Sequence, residues 1–202
     1  MTLDSSSVGQ SDRFLTLTAL AQRLTTLPGA PKDQGHLALV VRKGEGGRRE
    51  SLDQVLLSPE MGVPGDAWGR RAQRDPEAQL ATMQRNVAEL IANGQPLTLF
   101  GDNLFLDLDL SAANLPPGSR LQVGEAILEV TPMPHDGCRK FRARFGDDAL
   151  RFVGEPASRH LNLRGIYLRV VQQGEVRQGD QVHVLSRGTP LLPQSEVTAA
   201  SV

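Results

Sequence analysis

The sequence has few residues of the types that define several large protein classes. Cys138 is its one cysteine, which excludes an internal disulfide framework and is typical of a reducing, cytoplasmic setting. Aromatic residues make up only 4% of the 202 residues, so we expect no aromatic platform for stacking single-stranded nucleic acid. No segment approaches the ~18 apolar residues of a membrane span. The first residues also lack the basic-then-apolar pattern of a signal peptide.

The charge of the chain is balanced, with a formal net charge of -1 at pH 7. No global electric field therefore draws the protein to nucleic acid or to a membrane surface. The 39% hydrophobic and 22% charged residues are typical of a globular protein. Together these values favour a small-molecule partner and exclude neither catalysis nor simple binding.

The length is enough for one sizeable domain. We predict a single domain over residues 11–186. Residues 1–10 are small and polar, and 187–202 contain Pro, Ser and Ala without a core pattern, so both are expected to be disordered tails.

Short apolar and β-branched stretches separated by turn residues dominate the pattern from residue 36 onward. Examples are HLALVVRK at 36–43, RLQVG at 120–124 and GIYLRVV at 165–171. Such spacing predicts a β-rich α+β domain, built as a barrel with a few peripheral helices. Closing a sheet into a barrel removes exposed edges and leaves a mouth for a ligand.

Four local patterns give more specific predictions. A helix is predicted from residue 11 to about 27, and the clearest helix opens at Asp75-Pro76 and stops at Asn93-Gly94. LTLF at 97–100 is predicted to be a strand, leading into an alternating run at 104–110. The last hairpin is predicted within 176–185, with its turn at Gly179-Asp180.

The stretch TPMPHDGCRKFRARFG, at 131–146, carries the residues with the strongest chemistry. Cys138 lies on a Pro- and Gly-rich loop, three residues after His135. Nearby cations favour the thiolate, which is the form that attacks, carries sulfur or binds a soft metal. The same cations could hold a phosphate-bearing partner. The basic residues are Arg139, Lys140, Arg142 and Arg144.

Less specific readings remain open for each of these features. A lone cysteine is often a small, inert, buried residue, and a loop histidine is often a surface residue. Arg48 and Arg49 are interpreted as a solvated hairpin tip, and Asp66 as a turn cap. The sequence has no GxSxG elbow of a hydrolase and no His/Cys spacing of a zinc site.

Four stretches, in order, resemble the MOSC family, which is named after the C-terminal domain of molybdenum cofactor sulfurase. GVPGD at 62–66 looks like the early Gly-Asp loop of the family. FGDNL at 100–104 is similar to its Phe-Gly-Glu-Asn-Leu signature, with Asp102 in place of Glu. LQVGEAILEVTPMPHDGCRKF at 121–141 resembles the strand pair that leads to the family cysteine, and 165–182 resembles the closing strands.

The resemblance implies a β-barrel core with peripheral helices and matches Cys138 to the family cysteine. In the family that residue is thought to ligate molybdenum in molybdenum-cofactor reductases, or to carry sulfur as a persulfide. Molybdopterin bears a phosphate, so the basic residues become its expected contacts, and Asp66, Asp102 and Asn103 follow from motif position. The family is also associated with pyridoxal phosphate.

Three functions follow as hypotheses. The first is a molybdenum-cofactor protein with Cys138 as metal ligand, acting on N-hydroxylated compounds with a redox partner. The second is a persulfide carrier in which a desulfurase partner loads Cys138 and His135 assists proton transfer. The third is a non-catalytic barrel that binds a small ligand.

Overall fold

A computed structural model describes residues 8–189 of the chain. The predicted tails lie largely outside these residues. Where they overlap, the chain contacts the domain: the Gly9 amide donates to the Ala143 carbonyl at 3.2 Å. At the other end, Arg187 forms an ion pair with Asp33 at 2.6 Å.

Within the described residues, seven strands close into a barrel, as the sequence pattern predicted. Their order is β1–β5–β4–β8–β7–β6–β10, and β10 pairs back onto β1. The β4–β5 pair is parallel, whereas the other pairs in the barrel are antiparallel. β2 extends β1 outside the barrel, and β3 pairs with β9. The strands are β1 Gln34–Lys43, β2 Arg49–Ser51, β3 Gln54–Leu57, β4 Leu80–Gln84, β5 Leu104–Leu106, β6 Arg120–Val123, β7 Ala126–Val130, β8 Ile166–Gln172, β9 Gly174–Arg177 and β10 Gln181–Ser186.

The apolar side chains form two buried layers, one inside the barrel and one between the barrel and its helices. Successive strand residues point to opposite faces. Leu104 and Leu106 therefore fill the barrel interior, while Phe105 between them packs under the helices. This part of the barrel wall is buried on both faces, so its sequence is continuously apolar.

Within residues 8–189, four helices cover the outside of the barrel. They are α1 Leu17–Thr25, α2 Arg85–Ala92, α3 Arg139–Phe145 and α4 Asp147–Gly154. Phe100 and Phe145 stack at 4.1 Å between ring centroids in the layer beneath them. Short 3₁₀ turns lie at Ser11–Arg13, Glu45–Gly47, Pro76–Ala78, Leu97–Leu99 and Pro156–Leu161. Within the described residues, no helix is both long enough and apolar enough to cross a bilayer.

The helix predicted from Asp75 to Asn93 is wrong in its first half. Asp75 does cap a turn, because its side chain accepts the Glu77 amide, but that turn is a single 3₁₀ segment. Residues 80–84 then form β4, and only 85–92 are helical, with Asn93 ending the helix in a left-handed conformation. Leu80 faces the barrel interior, and Met83 faces the helix layer. They are three residues apart, which is also the spacing of residues on one face of a helix.

The predictions for strands are also wrong in two regions, the one around β5 and the one that contains β9 and β10. Leu97–Leu99 is a 3₁₀ turn, not a strand, and the alternating run pairs as a strand only over Leu104–Leu106. The stretch 176–185 does turn at Gly179-Asp180, but its two strands do not pair with each other. β9 pairs with β3, and β10 pairs with β6 and β1. β10 closes the barrel by pairing with β1 and β6, so it does not form a hairpin with β9.

Leu104→Ala should lower the free energy of unfolding by ~2–5 kcal/mol, because it leaves a cavity in the barrel interior. Leu104 is 0% exposed, whereas Leu56 on β3 is 51% exposed, so Leu56→Ala is the matched control and should change stability by less than ~1 kcal/mol. Urea unfolding of the three proteins measures both values. Equal losses for the two variants would contradict the placement of Leu104 inside the barrel.

Candidate functional site

A cavity of about 520 Å³ gathers basic side chains from distant parts of the chain. We call it the cationic cavity. Its walls come from the ends of β1 and β4, from β2, from the loop before residue 72, from the 135–138 loop, from α3 and from the start of β8. The charged residues that line it are Lys43, Arg49, Arg71, Asp136, Arg139, Lys140, Arg144 and Arg164.

A buried ion pair between Arg164 and Asp102 forms the floor of the site. One guanidinium nitrogen, Nη1, lies 3.0 and 2.9 Å from the two oxygens of Asp102. Burial alone would raise the pKa of the Asp102 carboxyl, but the charge and hydrogen bonds of Arg164, together with the nearby His135 and Lys43, hold that pKa below its ordinary value. Arg164 also lies 5.1 Å above the Phe141 ring, which joins this pair to α3.

His135 packs against the same ion pair. Its Nε2 lies 3.4 Å from Asp102 Oδ1, its ring lies 4.4 Å from the Tyr167 ring, and its side chain is 5% exposed. Burial and the nearby Arg164 charge lower the pKa of His135 to about 3, so the ring is neutral at pH 7. A base this weak is better suited to holding the loop in place than to carrying protons. Within residues 8–189, its Nδ1 has no hydrogen-bond partner.

Lys43, Asp66 and Asn103 form a second polar group beside the cavity. Asp66 accepts hydrogen bonds from the backbone amides of Lys43 at 2.7 Å and Trp68 at 3.0 Å. Asn103 accepts from Lys43 Nζ and the Ala81 amide and donates to the Val41 carbonyl. Burial lowers the pKa of the Lys43 amine, and the Asp66 carboxylate opposes that shift. These contacts fix the end of β1, where Lys43 enters the cavity.

Three cations converge on one glycine at the cavity wall. Gly101 has a φ of +77°, which favours glycine. A Cβ placed there would lie 3.4 Å from Arg49 Nε, 3.5 Å from Arg144 Nη1 and 3.7 Å from Lys43 Cδ. The side chains of three basic residues therefore lie within contact distance of the position of a Gly101 side chain, and we call this place the Gly101 corner.

Cys138 lies at the rim of the cationic cavity and is exposed. It stands immediately before α3, where its carbonyl accepts the Arg142 amide at 3.0 Å. The cavity wall continues from Cys138 into Arg139 and Lys140, so the thiol and two cations face the same space. Among the described residues, no group of three His, Cys, Asp or Glu side chains is placed to hold a metal ion.

The structure brings together most of the residues predicted from the sequence. Cys138, His135, Arg139, Lys140 and Arg144 line the cationic cavity. Asp66, Asp102 and Asn103 lie behind its wall, where they position other groups.

Arg142 lies outside the cationic cavity. It is exposed and pairs with Asp147 at 3.5 Å. It is therefore the one member of the predicted basic cluster on α3 that the fold turns away from the site.

Four basic residues and one tyrosine that line the cationic cavity were not identified from the sequence: Lys43, Arg49, Arg71, Arg164 and Tyr167. Arg49, at the start of β2, and Arg71, in a loop, lie in polar segments of ordinary composition, so only their positions in space show that they belong to the site. No local signal marked Arg164 or Tyr167. Burial and the charge of Asp102 raise the pKa of Tyr167, so its hydroxyl stays protonated at neutral pH.

Comparison with known proteins agrees with this architecture. The model of the MOSC domain matches residues 70–183, which is more than half of the chain. The chain belongs to the MOSC domain family. The match includes Asp102, His135, Cys138 and Arg164, and therefore most of the site just described.

Solved structures of two bacterial proteins share the fold. The YuaD protein from Bacillus subtilis matches with a TM-score of 0.57 at 18% identity, over 77% of this chain and 97% of that one. YiiM from Escherichia coli matches with a TM-score of 0.52 at 21% identity, over 76% of this chain and 71% of that one. Comparison with curated proteins gives no match.

The depressed pKa of His135 predicts a loss of stability in mild acid. The folded pKa of about 3 lies below the ordinary 6.5, so only the unfolded chain gains a proton between these values. Stability is therefore complete above pH 6.5 and falls below it, by ~2 kcal/mol at pH 5. His135→Gln should remove this loss, while His160→Gln, at an exposed position, should retain it. Urea unfolding at pH 7.5 and pH 5 measures the difference, and an unchanged loss in His135→Gln would show that His135 does not cause it.

Proposed function

We propose that the cationic cavity binds the molybdenum cofactor, with Cys138 as a protein ligand to the metal. The observation that carries this proposal is an exposed thiol on the wall of a cavity lined by basic side chains. A thiolate is a soft ligand, which suits molybdenum in a sulfur-rich environment. Cys138 would therefore be the residue of this cavity that holds the metal.

The size and charge of the cavity fit such a group. Its volume of about 520 Å³ lies within the ~300–1,000 Å³ of ordinary ligand pockets. Asp136 is the one acidic side chain among its described lining residues, against seven basic ones. An anionic, phosphate-bearing ligand is therefore favoured over a neutral or cationic one.

The Gly101 corner suits the phosphate of the cofactor. Arg49, Arg144 and Lys43 approach this corner from three sides, and guanidinium groups bind phosphate oxygens with well-defined geometry. Arg139 and Lys140 lie nearer the thiol in sequence and line the same cavity. In this arrangement Cys138 would hold the metal, and the basic residues of the Gly101 corner would hold the phosphate.

The remaining residues have positioning roles in this proposal. Asp102 and Arg164 fix each other and hold His135, and His135 in turn fixes the loop that carries Cys138. Tyr167 lines the cavity as a neutral phenol, which can donate a hydrogen bond to a bound molecule. When bound, the group supplies two-electron redox chemistry, for which the family resemblance suggests reduction of N-hydroxylated compounds.

Purified from a host that makes the cofactor, the wild-type protein should contain molybdenum and phosphorylated pterin. Cys138→Ser should lose the metal because the serine hydroxyl is a poor soft-metal ligand. The double variant Arg139→Gln/Lys140→Gln should lose pterin as well, and Arg142→Gln on the same helix is its matched control. Metal analysis and pterin fluorescence measure the contents. Neither component in wild-type protein, or equal contents in all four proteins, would contradict the proposal.

Exposure of Cys138 also favours a second function, which is sulfur transfer. A large desulfurase partner can reach this thiol, whereas it could not reach a buried one. In that reaction the Cys138 thiolate attacks the terminal sulfur of the partner's persulfide. A new S–S bond forms on Cys138, the old one breaks, and the partner cysteine leaves as its thiolate.

Incubation with a cysteine desulfurase and sulfur-labelled cysteine tests this second function. Label should appear on the wild-type protein, disappear on reduction and be missing from Cys138→Ser, because only this residue can form the persulfide. Equal label on Cys138→Ser would exclude the carrier role. Failure of both this test and the metal test leaves a ligand-binding barrel in which Cys138 has no chemical role.

A further inference from the structure

A second cavity of about 350 Å³ lies against the same loop as the cationic cavity. Its walls come from residues 112–117, from 130–136, from α4 and from the entry to β8. Proline and aliphatic side chains provide most of this wall, so we call it the apolar cavity. Representative lining residues are Leu115, Met133, Val153, Leu163 and Ile166.

The apolar cavity shares His135, Asp136 and Arg164 with the cationic cavity. These shared residues add little net charge. Arg164 is compensated by Asp102, and His135 is neutral. Asp136 is exposed, so water screens its charge. The two adjoining cavities therefore differ in chemistry, and a ligand suited to one is poorly suited to the other.

One cation remains available to a ligand of the apolar cavity. Arg159 lies on the 3₁₀ segment Pro156–Leu161, is exposed and lines the cavity. Within residues 8–189, its guanidinium group has neither an ion-pair nor a hydrogen-bond partner. The neighbouring His160 also lines the cavity and is exposed. A basic group at the border of an apolar space favours a molecule with an apolar body and one acidic group.

We propose that the apolar cavity binds a small ring compound whose acidic group pairs with Arg159. Its volume is at the lower end of the ~300–1,000 Å³ of ligand pockets, which suits a molecule of one or two rings. Mainly apolar walls with a few polar groups are the usual composition of such pockets. This proposal does not depend on which molecule occupies the cationic cavity.

The occupant of the apolar cavity is connected to Cys138 through Gly137. A Cβ on Gly137 would lie 2.5 Å from Leu150 Cδ1 and 3.3 Å from Val153 Cγ2, so the loop lies directly on α4. Val153 also lines the apolar cavity. A ligand that contacts Val153 therefore contacts a side chain against which the cysteine loop packs, and its binding should change the reactivity of Cys138.

Two fluorescent probes test the site in the full-length protein. Anilinonaphthalene sulfonate has an apolar ring body and one anionic group, and phenylnaphthylamine is its uncharged counterpart. Both should bind the wild-type protein saturably with one probe per chain. Arg159→Gln should weaken binding of the sulfonate on the order of 5-fold, as expected for one partly exposed ion pair, and leave the uncharged probe unchanged. Arg151→Gln, an exposed arginine outside the cavity, is the control.

Two tryptophan variants, one inside the cavity lining and one outside it, test where the probes bind. Ala112 lines the apolar cavity and is half-buried, so Ala112→Trp should weaken both probes by at least about 10-fold. The next residue, Ala113, is exposed and outside the lining, so Ala113→Trp should bind as the wild type does. Thermal unfolding verifies that each variant is folded. If Ala112→Trp does not fold, Arg159→Gln still tests the site independently. Unchanged binding of both probes in Ala112→Trp and Arg159→Gln would overturn the proposal.

The rate at which Ellman's reagent modifies Cys138 provides the second measurement. Saturating phenylnaphthylamine should change this rate at least about threefold in wild-type protein and leave it unchanged in Ala112→Trp. An unchanged rate in wild-type protein, despite binding, would overturn the connection to the thiol. Arg139→Gln/Lys140→Gln should bind both probes normally, so failure of the cofactor proposal and failure of this one remain distinguishable.

Discussion

The buried ion pair between Arg164 and Asp102 is the interaction on which the rest of the site depends. Asp102 is fully buried and Arg164 nearly so, and each charge compensates the cost of burying the other. The pair joins the loop after Gly101, the entry to β8 and, through the Phe141 ring, helix α3. His135 packs against the pair, and its burial and the Arg164 charge keep its ring neutral. A single electrostatic contact thus sets the position of elements that lie far apart in the sequence.

The fold was predictable where the sequence pattern is local. Short apolar runs between turn residues predicted the barrel, because most of its strands bury one face and are followed within two residues by glycine or proline. β4 was hidden because both of its faces are buried, one by the barrel interior and the other by the helices. Without a polar face there is no alternation, and its spacing merges with that of α2. The pairing of β10 with β1 has no local signal, since it depends on closure of the whole sheet.

Only the part of the site that lies in one continuous stretch of sequence was predictable. Cys138 and its basic neighbours are contiguous and could be identified together. Lys140 and Arg144 are four residues apart and share a helical face, whereas Arg142 lies between them on the opposite face. Lys43, Arg49 and Arg164 reach the cavity from other strands, and only the tertiary structure shows that they meet.

Closure of the barrel by β10 also has a consequence for how the protein is made. His36 and Gln181 contact each other across 145 positions of the chain. During synthesis, the edges of β1 and β6 stay unpaired until the ribosome has released nearly the whole domain. Exposed strand edges recruit other chains, and contacts of such long range form slowly. The nascent chain therefore has a long interval in which its unpaired strand edges are open to aggregation.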